Sequence, residues 1–146
     1  MKFALTLCIL FTCTCSYCQN DNDSVAIVKL LEKAATTFRS GDAKAYADCW
    51  QFRPYSIILI SSDDGKAMTI TSEMMTKPSS YMGQGGFATA TNYRMSIHKD
   101  NGWTSFDEVS TAKDGTKSYS HEMWMFEKIN NQWKLVAASL HIYKPS

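Results

Sequence analysis

The side chains with the most chemistry to offer in this chain are two carboxylates, Asp107 and Glu122, one imidazole, His141, and the hydroxyls of Ser120 and Ser139. Hairpin counting puts them on one surface. If Asn130-Asn131 is a two-residue turn, Ile129 pairs with Gln132, and counting back opposes Glu127 to Lys134, Phe126 to Leu135, Trp124 to Ala137 and Glu122 to Ser139. That register pairs opposite charges at Glu127 and Lys134 and sets Lys128 beside the ring of Trp133; a slip of one residue loses both. One face then carries Phe126, Leu135, Trp133, Trp124 and Ala137, and turns polar at Glu122, Ser139, Ser120 and His141. An apolar floor with a few polar groups is how a small-molecule pocket is built.

Carried through Asp114-Gly115 as a two-residue turn, the same count opposes Asp107 to Glu122. Two facing carboxylates raise one pKa, the arrangement that general acid-base chemistry uses. A bulge in that loop brings Glu108 to the face instead. The opposite face carries Met123, Met125, Val136, Leu140, Tyr119 and Ile142, which is too apolar to be left in water, so helices or a second subunit must cover it.

Other chemistries find no support. The segment after residue 18 has no HExxH, His-x-Glu or paired-cysteine spacing, so no metal site is expected, and no GxSxG, P-loop or dinucleotide fingerprint, so no cofactor is expected either. His98 and His121 read as surface or interface residues. His141 also has a plain reading, as a strand-end histidine hydrogen-bonded to Ser120. Trp50, Trp103, Trp124 and Tyr55 are either an aromatic cage or simply core.

The elements that position these residues follow from spacing. Ser24 is a good N-cap for an amphipathic helix with Ile27, Leu31, Ala34, Ala35 and Phe38 on one face, ending near Ser40-Gly41. Asp42 caps a second helix through Trp50, with Tyr46, Cys49 and Trp50 on one side. Pro54 stops it, and Tyr55 to Ser61 is a β-branched strand closing on Asp63-Asp64-Gly65. Thr71 or Ser72 caps a short helix over Glu73 to Lys77, and Pro78 to Gly86 reads as a mobile loop and lid candidate. A meander follows, with strands over Thr91 to His98, Trp103 to Ala112, Ser118 to Ile129 and Gln132 to Tyr143.

With 146 residues, 45% hydrophobic, the chain has room for one core. Fifteen basic and fourteen acidic residues are interspersed, so neither nucleic acid nor an anionic membrane is an expected partner. Cys8, Cys13, Cys15 and Cys18 cluster at the start. Lys2, the apolar run Phe3 to Thr14, and small residues at Ser16 and Cys18 read as a signal peptide cleaved before Gln19, giving a periplasmic or secreted domain over 19–146. Lipidation at Cys15 or Cys18 is the competing reading and the one route to a membrane. Cys49 then remains as a buried small hydrophobe, and no disulfide staples the domain.

The order helix, helix, strand, loop, meander resembles the nuclear transport factor 2-like superfamily, in particular its SnoaL-like and DUF4440-like branches. The resemblance rests on Phe38-Arg39-Ser40-Gly41-Asp42, on Cys49-Trp50 followed by Arg53-Pro54-Tyr55, and on Glu127-Lys128-Ile129-Asn130-Asn131-Gln132-Trp133-Lys134-Leu135, and it spans Ser24 to Tyr143. It implies an α+β cone in which N-terminal helices pack on a strongly bent antiparallel sheet, with Trp133, Leu135, Ala137, Ser139 and His141 facing the cone. It also implies a homodimer through the Met123, Met125, Val136 and Leu140 face.

DUF4440-like proteins often have histidine where this chain has Ser139, and His141 on the same face is the substitute. The function this favours is binding of a small apolar or amphipathic ligand, with Trp50, Tyr55, Trp124 and Leu135 as walls and Glu122, Ser139 and His141 fixing orientation. The alternatives are a lyase or isomerase of ketosteroid isomerase type, with Asp107 or Glu122 as base and His141 or Tyr55 stabilising the oxyanion, and a dimeric accessory subunit.

Overall fold

A computed structural model describes residues 16–77 and 79–145. The leader expectation over residues 1–15 lies outside the described residues, and the expected cleavage point before Gln19 falls within the first helix. That helix, α1 (Ser16–Ser40), buries Ile27, Leu31 and Ala34. Ser24 is not its cap: the helix runs two turns further back. Neither glycine nor proline interrupts residues 16–23, and extending an existing helix is far easier than starting one. No helix among the described residues is long and apolar enough to cross a membrane.

The end of α1 falls where expected. Gly41 takes φ +82, its N–H bonds the Phe38 carbonyl, and the Asp42 N–H reaches back to the Thr37 carbonyl, a Schellman closure. Asp42 caps α2 (Ala43–Ala47) by accepting from the Ala45 N–H at 2.9 Å. This helix stops short of Trp50, because Cys49 and Gln51 exchange backbone hydrogen bonds with Leu135 and are drawn to the sheet edge.

The sheet has six strands: β1 (Ile57–Ser62), β2 (Ala67–Thr71), β3 (Phe87–His98), β4 (Asn101–Thr111), β5 (Lys117–Ile129) and β6 (Gln132–Tyr143), in the order β2-β1-β6-β5-β4-β3. One pair, β1 with β6, is parallel; the others are antiparallel. β2 is an element the sequence reading left unassigned. A short helix, α3 (Ser72–Met75), follows it. The helix α1 lies across one face, and the core between them holds Trp50, Ile58, Phe106, Phe126, Trp133, Leu135 and Ala138.

The expected β5–β6 register holds for Ile129 with Gln132, Glu127 with Lys134 and Phe126 with Leu135. It then slips by one residue. A bulge between Met125 and Phe126 on β5 leaves Val136 as the extra residue on β6, so Trp124 faces Ala138 and Glu122 faces Leu140. Because successive side chains alternate, the slip turns Ser139 and His141 away from the cone, and brings Leu140 and Ile142 toward it. The β4–β5 loop departs from the count as well. Ala112 pairs with Thr116 around Lys113, Asp114 and a left-handed Gly115, a three-residue loop. Asp107 therefore faces His121 on the outer side, and Glu108 faces Ser120 inside, the bulged alternative.

The lid candidate is tied down. Gly83 N–H bonds the Phe38 carbonyl at 3.0 Å, and Gly85 N–H bonds the Arg39 carbonyl at 2.8 Å, so the loop supplies N–H donors to carbonyls in the last turn of α1 that lack intrahelical partners. Gly41 and Gly83 meet back to back, and a Cβ on Gly41 would sit 3.1 Å from the Gly83 Cα. Gly41→Ala is expected to destabilise the fold by about 1–3 kcal/mol, from its left-handed backbone and this contact together. Chemical denaturation measures it, and a loss within experimental error of zero would show that the loop is not docked there.

Candidate functional site

Glu122 is 5% exposed, in the middle of β5, where it looks into the cone. Its carboxyl accepts the Ser120 hydroxyl at Oε1 (2.7 Å) and the Trp124 indole N–H at Oε2 (2.7 Å), both from the same strand and face. Burial, and then the charge of Glu108, push its pKa up to about 7, against the pull of those two donors and of Arg39. A carboxyl so placed is an acid at neutrality that gains or loses its proton easily. Ser120 adapts to either state, since its hydroxyl donates to a carboxylate and accepts from a carboxylic acid.

An ion pair flanks it. Arg39, in the last turn of α1, donates from Nη2 to Glu108 Oε1 (2.8 Å) and Ser110 Oγ (2.9 Å), and from Nη1 to its own helix at the Ala35 carbonyl (3.3 Å). The sequence reading quoted Arg39 only as part of a helix junction.

Aromatic rings close the other side. Trp50 tilts against Trp124 (centroids 5.8 Å apart), stacks on Phe52 (6.2 Å) and meets the edge of Tyr46 (6.1 Å). The Trp50 N–H is buried and makes no well-formed hydrogen bond among the described residues, although the Tyr46 hydroxyl lies close enough to interact with it. The nearby Tyr46 hydroxyl is pushed up to about 12 by burial, so it too is a donor at every ordinary pH. Tyr46, Trp50, Trp124 and Glu122 are thus one contiguous wall that offers two donors and a proton.

The other expected site residues lie elsewhere. Leu135 is fully buried core between α1 and the sheet. Tyr55 is 60% exposed, and its hydroxyl bonds Glu127, which Arg53 also holds through Nε (3.0 Å) and Nη2 (2.7 Å). Ser139 is exposed on the outer face opposite Met123. His141 bonds Ser61 Oγ through Nδ1 (2.9 Å) and Asp63 through Nε2 (3.2 Å), not Ser120, so it cannot assist Glu122. Asp107 is outside, bonded to His121 and Asn92, and its facing-carboxylate pairing with Glu122 is replaced by Glu108 beside Glu122. Among the described residues no three His, Cys, Asp or Glu side chains group as a metal site.

The expected Met-rich face is also redrawn. Leu140 packs toward the core and Val136 is buried, while Leu59, Trp103, Met123 and Met125 are among the apolar residues left exposed on the outer side, each 38–50% accessible.

No protein-family model and no curated protein matches this sequence. Solved structures do match in shape. A protein of unknown function with a cystatin-like fold from Nostoc punctiforme superposes with a TM-score of 0.65 at 14% identity, over 86% of this chain and 93% of that one. An NTF2-like protein from Cytophaga hutchinsonii gives 0.65 at 16% identity, over 82% and 98%. The association domain of C. elegans CaMKII gives 0.61 at 13%, over 84% and 97%. These likenesses establish the nuclear transport factor 2-like, cystatin-like fold that the sequence resemblance implied.

Proposed function

We propose that this nuclear transport factor 2-like domain binds a small apolar or amphipathic molecule bearing an oxygen acceptor, held in the cone against Tyr46, Trp50 and Trp124 with Glu122 as its polar anchor. The observation that carries the reading is the pairing of a buried indole N–H that makes no well-formed hydrogen bond, beside the Tyr46 hydroxyl, with a buried carboxyl poised near neutrality. Burying a donor without a partner is unfavourable by about 1–3 kcal/mol, and a ligand carbonyl or hydroxyl relieves it. Surrounding apolar rings supply the remaining affinity. The leader-like residues 1–18 support placing this binding outside the cytoplasm.

Gently purified protein is expected to carry such a compound in native mass spectra, and Trp50→Phe to lose it, since phenylalanine keeps the ring but not the donor. Retention of the compound by Trp50→Phe would refute the assigned role of the indole N–H. The acid-base reading keeps one specific support, the pKa of Glu122, which suits proton transfer at neutrality. Under it, Glu122→Gln binds the compound but no longer transforms it.

The exposed Leu59, Trp103, Met123 and Met125 support self-association through the outer sheet face, a role in keeping with the neighbour that serves as an association domain. Sedimentation of the wild type against Met125→Glu tests it: a dimer that persists in the variant excludes this face.

A further inference from the structure

We propose that the outer sheet face holds a second site, a cleft at the β3 bulge that takes a small phosphate-type oxyanion between Arg94 and His121. Between Thr91 and Arg94 the β3–β4 register slips, and the ladder opens over Asn92 and Tyr93. A cleft of about 560 Å³ lies there, bordered by Asn92 to Arg94, Ser105 to Asp107, His121 and Glu122. By strand alternation its outward side chains include Arg94, Ser105, Asp107 and His121.

These groups are organised rather than scattered. Asn92 adopts φ +58, a conformation uncommon outside glycine, and from it donates its amide to Asp107 Oδ2 at 2.6 Å. His121 Nδ1 meets Asp107 Oδ1 at 2.5 Å. Hydrogen bonds from Asn92 and His121 hold the Asp107 carboxyl below its usual range, so it is ionised and can only accept, which assigns the Nδ1 proton to His121. The imidazole also stacks on Tyr143, centroids 4.4 Å apart and 12° from parallel. Its orientation is fixed from two sides, its side chain is 60% exposed, and Nε2 is the nitrogen left for a ligand. Arg94 is exposed and its guanidinium makes no hydrogen bond or ion pair among the described residues, although its charge helps keep Asp107 ionised.

A surface ion pair alone would need neither the left-handed asparagine nor the unpaired arginine beside it. Together they present a guanidinium fork and, once His121 is protonated, an Nε2–H donor, while Asp107 balances the imidazolium. That donor set fits the oxygens of a phosphate group. The charged and titratable groups around His121 are Asp107 and Arg94, with Tyr119 and Tyr143 on the same face, and His141 opposite on β6, itself held by Ser61 and Asp63.

The test is histidine-region NMR of the intact protein titrated with inorganic phosphate at pH 6, against chloride at matched ionic strength. His121 signals are expected to shift saturably with phosphate while those of His98 stay still, and Arg94→Ala to weaken the response at least about tenfold with signal dispersion retained. A His121 response no larger than that of His98, or one unchanged in Arg94→Ala, overturns the proposal. This response is read on His121 and the cone reading on its bound compound, so failure here and failure there are separate results.

Discussion

Replacing Glu122 by glutamine is expected to stabilise the protein at pH 8 by about 3 kcal/mol and to change its stability little at pH 4. In the unfolded chain this carboxyl titrates near its ordinary 4.5, in the fold at about 7. Between those values the folded state holds a proton that the unfolded state has released. A raised folded pKa therefore contributes stability that is fully present below 4.5 and is lost as pH rises through 7. Glutamine stands in for the protonated acid: its carbonyl accepts from Trp124, and its amide donates to a reversed Ser120 hydroxyl. Other titrating groups are common to both proteins and cancel in the difference. Urea denaturation of the two proteins at pH 4 and pH 8 reads the effect, and a wild type whose advantage grows as pH rises would contradict the assignment.

Arg39→Met is expected to cost about 2–4 kcal/mol, an effect out of proportion to an ion pair in full water. Arg39 and Glu108 are only 17% and 14% exposed, and Glu108 already bears on Glu122. Without the guanidinium, Glu108 is a poorly solvated charge next to a second acid, and Ser110 loses a donor as well. Removing that positive charge also pushes the Glu122 pKa higher. Adding Glu108→Gln to Arg39→Met is expected to recover more than half of the loss, because the unpaired charge is what destabilises. A double-mutant cycle measures this coupling. Additive losses would mean that packing of the arginine stem, and not its charge, joins α1 to β4.

Two local features decided how far the amino-acid sequence could be read. Periodic and turn signals were strong where they were local: the α1 stop at Gly41, the Asn130-Asn131 turn, the Glu127 with Lys134 pair, and the order of the meander all stand as read. Bulges carry no such signal. Val136 is one apolar residue among several, yet its insertion moves Ser139 and His141 across the sheet and makes Leu140 a core residue. Likewise Lys113-Asp114-Gly115 serves a three-residue loop as readily as Asp114-Gly115 serves a two-residue one, and that choice alone exchanges Asp107 for Glu108 beside Glu122.

Glu122 and Trp124 kept their inward positions because the two shifts fall on their partner strands or loops, leaving the alternation of β5 intact. Trp50 was legible as an aromatic near the cone, but the poor pairing of its N–H was not, since that depends on how the folded chain places acceptors around it. Arg39 reaches Glu108 across 69 positions, a contact that no local pattern encodes.

What is assigned to the cone depends on Glu122 keeping its proton near neutrality, and the most direct measurement is the pH titration of its carboxyl carbon by 13C NMR. A midpoint near 7, well apart from the other glutamates, is the predicted result. A midpoint near 4.5 would mean a solvated carboxylate, and neither the anchor nor the acid-base reading could stand on it.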